Sequence, residues 1–237
     1  MIQAIFFDFN GVVIDDERLQ MKAYQEALGA ESIDLTEEDY YGSLGMDDVT
    51  FVRAAFERAG RTTADDSMRA IIERKTEFHH ELIKDELPLF PGVVTFIRNT
   101  ARHYQLGLVS MARLVEISHV LERAHLEDAF AVTVSAEDVS ACKPDPCCYS
   151  LALERLNEKR SAGRQQPVLP AECVVIEDSP PGIQSGRAAG MRTLGVTNTV
   201  TEEQLRAAGA DVVTANLYDW NADAIYHVFG ESSRHKG

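Results

Sequence analysis

The chain has 237 residues, 45% of them hydrophobic, which is enough to bury a sizeable core as one large domain or two smaller ones. Its net charge of −15 argues against a nucleic-acid backbone or an anionic membrane as partner, but leaves room for a small anionic substrate received by a local cation. No apolar run approaches membrane-spanning length and the first residues lead directly into a strand, so neither a signal peptide nor a membrane helix is expected and the cytoplasm is the expected compartment. The four cysteines, Cys142, Cys147, Cys148 and Cys173, form no Cys-x-x-Cys pair and read as reduced thiols.

The first element is an apolar run, Ala4-Ile5-Phe6-Phe7, leading into Asp8-Phe9-Asn10-Gly11. It predicts a fully buried strand ending in a polar turn, the place where open α/β sheets keep their chemistry. From residue 15 to about 84 the pattern turns helical, with apolar residues three and four apart (Leu19, Ala23, Tyr24, Ala27, Leu28; Val49, Val52, Phe56; Met68, Ile71, Ile72). Breaks near Gly29, Gly42 to Gly45 and Gly60 divide this insert into roughly four helices. Within it, the adjacent His79 and His80 read as solvated side chains on a charged helix.

After the prolines Pro88 and Pro91, strand-like segments (106–109, 131–134, 173–176, 192–196) alternate with helical ones (115–123, 151–156). This alternation predicts a parallel sheet covered by helices on both faces. The polar stretch 158–166 reads as a surface loop and 232–237 as a frayed tail.

Several strand ends carry polar groups: Asp8 with Asn10, then Ser110, then Glu177 with Asp178. Lys143-Pro144-Asp145-Pro146 follows the third strand. Singly, each has an ordinary reading: Ser110 as a turn cap, Lys143 as a surface lysine, Glu177-Asp178-Ser179 as the cap of a helix opened by Pro180-Pro181. Gathered at one sheet edge, carboxylates, a hydroxyl and a lysine make a site for magnesium and phosphate.

In these four motifs the chain resembles the haloacid dehalogenase superfamily, in the branch with a helical cap after the first motif, similar to β-phosphoglucomutase and phosphoglycolate phosphatase. The resemblance implies an α/β protein with a doubly wound, Rossmann-like parallel-sheet core (residues 1–14 and 88–237) and an all-helical cap (15–87). It implies a phosphatase acting on a small phosphorylated metabolite with Mg²⁺, as a monomer or weak dimer. Asp8 would be the nucleophile, forming an aspartyl-phosphate. Ser110, with the backbone at Met111 and Ala112, would hold phosphoryl oxygens. Lys143 would balance their charge. Asp8, Asp178, Glu177 and the backbone carbonyl of Asn10 would hold the metal.

Two departures matter. Phosphatases and mutases of this family carry a general acid–base Asp where this chain has Asn10, and an amide cannot trade a proton near neutral pH, which puts a factor of about 10² to 10⁴ at stake. Asn10 is thus an introduced substitution, or the mark of a weakly active or non-catalytic phosphometabolite binder, or a sign that another group supplies the proton. The second departure is Gln20, which falls where mutase-type members carry a His and so favours a phosphatase over a phosphosugar mutase. The cap loop 42–48, with Gly45, is expected to face substrate, and Arg53 beyond it to face solvent.

Overall fold

The computed structural model describes residues 1–230; the expected tail at 232–237 lies outside them. The central strand is β1 (Ala4–Phe7), all four residues of which are buried. It pairs in parallel with β2 (Gln105–Val109) on one side and β4 (Cys173–Glu177) on the other. Outward from these lie β3 (Val132–Val134), β5 (Arg192–Val196) and β6 (Val212–Thr214), giving a six-stranded parallel sheet in the order 3-2-1-4-5-6.

The pleat of β1 divides the core in two. Ile5 and Phe7 face α5 (Val93–Thr100), α6 (Leu114–Ala124) and α10 (Ala222–Gly230) through Phe96, Ile97, Ile117, Val120, Ile225 and Phe229. Ala4 and Phe6 face α7 (Cys147–Ala162) through Tyr149, Ala152 and Leu156. Phe7 meets Phe96 and Phe130 edge-on, with ring centroids 5.9 Å apart in both pairs. Truncating such a ring to Ala costs about 3–5 kcal/mol, so this strand has little freedom to shift and carries the site on a rigid base. Two short helices, α8 (Pro180–Ala188) and α9 (Glu202–Ala207), complete the crossovers.

Between β1 and α5 lies the helical insert: α1 (Glu17–Gly29), α2 (Glu37–Tyr41), α3 (Asp48–Arg58) and α4 (Asp65–Ile83). These are the four helices expected, with a small core of their own built from Tyr24, Leu28, Phe51, Phe56 and Ile71. Thr36 and Asp47 cap α2 and α3 by accepting hydrogen bonds from the backbone N–H of Asp39 and Thr50. The two connections to the sheet domain run side by side: Asp15 N–H donates to the Pro88 carbonyl at 2.7 Å, Phe90 N–H donates to that of Val13 at 3.3 Å, and Ile14 bridges Leu89.

One expected loop is helix. α7 continues to Ala162, because Glu158, Lys159 and Arg160 are good helix formers whose polarity reflects a solvent-facing end rather than a break. Among the described residues, no helix is long and apolar enough to cross a membrane. All four cysteines are free thiols.

Candidate active site

The carboxyl ends of β1, β2 and β4 bring their polar residues together. Asp8 continues the ladder for one residue, its N–H donating to the Ile176 carbonyl at 2.9 Å. The chain then turns at Gly11, where φ is 74° and a Cβ would stand 1.8 Å from Asp178 Oδ2. Only glycine permits that turn with the second carboxylate so close. Lys143 reaches in from the loop before α7: its Nζ donates to Asp8 Oδ1 at 2.7 Å, to Glu177 Oε1 at 2.6 Å and to the Val109 carbonyl at 3.3 Å. Ser110, buried, accepts from the Ala112 N–H at 3.0 Å. Asp8, Ser110, Met111, Ala112, Lys143 and Asp178 line one cavity of about 100 Å³.

Crowded carboxylates set the electrostatics. Burial and the Glu177 carboxylate push Asp8 up to about 7 despite its ion pair with Lys143. Asp178 is likewise pushed well above the usual carboxylate range, by burial and then by Glu177 and Asp8. Burial opposes the charge on Lys143, but Asp8 and Glu177 outweigh it and raise its pKa. Asp8, Glu177 and Asp178 each offer an oxygen, all within 4.8 Å of one another. This is an all-oxygen donor set that suits a hard divalent ion such as magnesium, and such a charge would relieve their mutual repulsion. Glu177 differs from the other two. It is fully buried, its Oε1 accepts from Lys143 and from Tyr149 Oη (2.7 Å), and its Oε2 accepts from Ser179 Oγ (3.1 Å). Its oxygens are engaged in orienting Lys143, while Asp8 and Asp178 face the cavity.

Asn10 is held from behind. Its Nδ2 donates to both oxygens of Asp16, at 3.0 Å each, and Asp16 is fully buried. The same carboxylate accepts from Gln20 Nε2 at 3.1 Å and meets His79 Nε2 at 2.9 Å. This corrects the reading of the two histidines. His79 is 1% exposed, and His80, half-buried, stacks on His119 with ring centroids 4.4 Å apart. The reason lies in α4, whose buried stripe runs through Met68, Ile71, Ile72, Lys75, Thr76, His79 and Ile83 at helical spacing.

That stripe also carries a residue that sequence reasoning passed over. Lys75 Nζ donates to Asp48 Oδ1 at 3.2 Å and to Glu116 Oε1 at 2.9 Å, tying α4 to α3 and to α6 of the sheet domain. Tyr24 donates to the same Asp48 oxygen, and Tyr40 donates to Glu17 Oε2 at 2.6 Å. Burial, and then Asp16, push Glu17 up to about 8. Glu17, Gln20, Tyr24, Tyr40, Asp48, Lys75 and Glu116 also line the same cavity. Their signal in the sequence was a charge at an apolar helical position: Lys75 four residues after Ile71, and Glu116 beside Ile117 and four before Val120. Gly45, with φ at 85°, stands over the site: a Cβ there would lie 2.9 Å from Pro181 Cβ and 3.3 Å from Lys143 Cβ. Arg53 is exposed, as expected.

A family model described as haloacid dehalogenase-like hydrolase matches residues 2–190. Among curated relatives, a phosphorylated carbohydrates phosphatase of Thermotoga maritima is 29% identical over 215 residues, covering 88% of this chain and 92% of that protein. Hexitol phosphatase B of Escherichia coli is 27% identical over 228 residues, covering 93% and 95%. The fold, helical insert included, is that of a β-phosphoglucomutase from Clostridium difficile, with a TM-score of 0.85 at 21% identity over 98% of this chain and 99% of that one.

Proposed function

Because this chain belongs to the haloacid dehalogenase-like hydrolases, we propose that it is a magnesium-dependent phosphatase of small phosphorylated metabolites that works through Asp8. The observation that carries this reading is the convergence of Asp8, Ser110, Lys143 and Asp178 on one cavity beneath the helical insert. Relatives named for phosphorylated carbohydrates and for hexitol phosphates support the substrate class.

In this reading the Asp8 carboxylate attacks phosphorus, the ester P–O bond breaks and the leaving oxygen takes a proton from solvent to depart as the alcohol, leaving an aspartyl-phosphate that water then hydrolyses to phosphate and free Asp8. Ser110 and the N–H groups at Met111 and Ala112 hold the phosphoryl oxygens. Lys143, oriented by Glu177, offsets the charge of Asp8 and phosphate. Asp8, Asp178 and the Asn10 carbonyl would hold magnesium, with Glu177 behind them. When bound, the ion supplies charge neutralisation between Asp8 and the phosphoryl group. Asn10 has no proton to give the departing alcohol, so turnover is slow. The same residue favours a second reading, a binder of phosphorylated metabolites without turnover. A mutase is disfavoured by Gln20, which is committed to Asp16.

Of the described residues, 1–14 and 88–230 form the core and 15–87 the cap in this proposal, and the paired connections at 13–16 and 84–90 act as the hinge. The test is phosphate release from a panel of phosphate esters with and without magnesium. Release abolished by Asp8→Asn and by chelation is expected; release that survives Asp8→Asn removes the mechanism.

A further inference from the structure

The lining of the cavity falls into two sets of different chemistry. Asp8, Ser110 and Lys143 suit a phosphoryl group. The other set includes Gln20, Asp48 and Glu116, which are 5%, 6% and 1% exposed. One oxygen of each has no hydrogen-bond partner: Gln20 Oε1, Asp48 Oδ2 and Glu116 Oε2. Gln20 is oriented by its donation to Asp16, which leaves its carbonyl as the free end.

Most donors beside these acceptors have partners. Lys75, the cation among them, is bound to Asp48 Oδ1 and Glu116 Oε1. Tyr24 donates to Asp48 and Tyr40 to Glu17. What remains is a set of three buried acceptors without partners, two of them carboxylate oxygens, beside one ammonium that already serves two carboxylates. Unpaired buried acceptors are costly and are satisfied by a ligand that brings N–H or O–H groups. A second anion would meet the carboxylates instead, and like-charge juxtaposition in a desolvated site is a strong rejection.

Taking the phosphoryl set from the reading above, we propose that this site selects phosphomonoesters whose alcohol part presents hydroxyl or ammonium donors and carries no second anion, and that it rejects bisphosphates and phosphorylated carboxylic acids. The discrimination resides in Asp48, Glu116 and Gln20. It also separates this chain from any reaction that must hold a sugar bisphosphate, as transfer of phosphate between two positions of one sugar requires.

The test is calorimetric binding to the full chain with saturating magnesium, using sorbitol 6-phosphate, glucosamine 6-phosphate, 2-phosphoglycolate and fructose 1,6-bisphosphate. The first two are expected to bind at least about tenfold tighter than the last two, where tenfold is about 1.4 kcal/mol. Preference between the first two tells hydroxyl from ammonium recognition. Asp48→Asn, which removes a charge and keeps the shape, should narrow the gap. Equal or tighter binding of the bisphosphate or of 2-phosphoglycolate, or no binding of any of the four, overturns the proposal. Phosphate release measured on the same samples reports the other reading separately: selective binding without release removes the phosphatase and leaves the selectivity, and release without selectivity does the reverse.

Discussion

Replacing Asn10 by aspartate tests both the chemistry and the packing of the site. The amide donates to both oxygens of Asp16 at 3.0 Å, so Asn10→Asp sets two carboxylates face to face where two charge-assisted hydrogen bonds stood. Two carboxylates at that distance do not both ionise; they share a proton, and the pKa of one rises. If that pKa is carried past neutrality from an ordinary value near 3.9, trapping the proton at pH 7 costs up to about 4 kcal/mol. The sign follows: a carboxyl whose folded pKa is raised leaves the folded state least penalised in acid and progressively destabilised as pH climbs through that pKa. Asn10→Asp is therefore expected to melt lower than the unaltered chain at pH 8 and to approach it near pH 5, which scanning calorimetry at both values reads directly. The trapped proton is also the one that a departing alcohol needs. Phosphate release should rise by about 10² to 10⁴-fold, or roughly 3 to 5 kcal/mol of barrier. Asn10 precedes Gly11, a pair prone to deamidation, so the mass of the peptide spanning Asp8 must accompany the assay. A variant with unchanged turnover would refute the acid–base assignment of this position, and one with no pH-dependent loss of stability would refute the energetic importance of the Asp16 contact.

Three further outcomes are expected. Inorganic phosphate or vanadate should raise the melting temperature with magnesium and fail to do so after chelation, since the ion would join the carboxylates of Asp8 and Asp178 to the bound anion. Lys75→Met leaves Asp48 and Glu116 buried without their counter-ion, a loss of about 3–5 kcal/mol, which for a chain of this size is a fall in melting temperature of about 6–20 °C by calorimetry. Glu17 is held up to about 8 by burial and by Asp16, so its contribution to stability is complete below pH 4.5 and is lost as pH rises to about 8; in saturating magnesium, Glu17→Gln should flatten the decline in melting temperature over that window.

The sheet and the phosphoryl set of the site were legible because each of their signals is local. Ala4 to Phe7 are apolar at every position, as a strand covered on both faces must be; Asp8, Ser110 and Asp178 each follow a strand directly in the sequence, and Glu177 is the last residue of its strand. Lys143 and Gly45 were legible as departures from their surroundings, a lone cation between prolines and a glycine-framed loop. The other set was not legible, because its members are scattered. Tyr24, Asp48, Lys75 and Glu116 sit on four helices, and each has meaning only against the others. Polarity misleads twice in opposite directions: the polar run 158–166 reads as a loop but is helix as far as Ala162, and His79 reads as a surface group on a charged helix but is core.

The contact between insert and sheet is mixed, with Ile83 of α4 buried in the apolar cluster of Val93, Phe96 and Ile117 and Leu19 of α1 packed against it, and its polar share bears on how the site would open. A lid must separate repeatedly, and an apolar seam would make each separation expose a hydrophobic face to water. Here several ties across the seam are hydrogen bonds: Lys75 and Thr76 to Glu116, Arg113 to Thr76, and Arg123 to the carbonyls of Ile83 and Lys84. In the lid role proposed above, each could be exchanged for water as the insert lifts, at the cost of exposing Ile83 and Leu19, whereas the insert's own apolar core of Leu28, Phe51, Phe56 and Ile71 would stay closed and move as a unit. Asp16 lies at the root of α1 and touches both Asn10 and His79 of α4, so lifting the insert also loosens the hold on the Asn10 amide. Opening and the orientation of residue 10 are thereby coupled through one buried carboxylate, and His79→Ala, which removes the contact from α4 and leaves the Asn10 contact in place, should weaken that coupling. The expected readout is faster hydrogen exchange at the backbone amides of residues 15–20 together with looser binding of phosphate, measured with magnesium present. Exchange there that stays as slow as in the unaltered chain would show that the Asp16–His79 contact does not hold the insert and would refute the coupling.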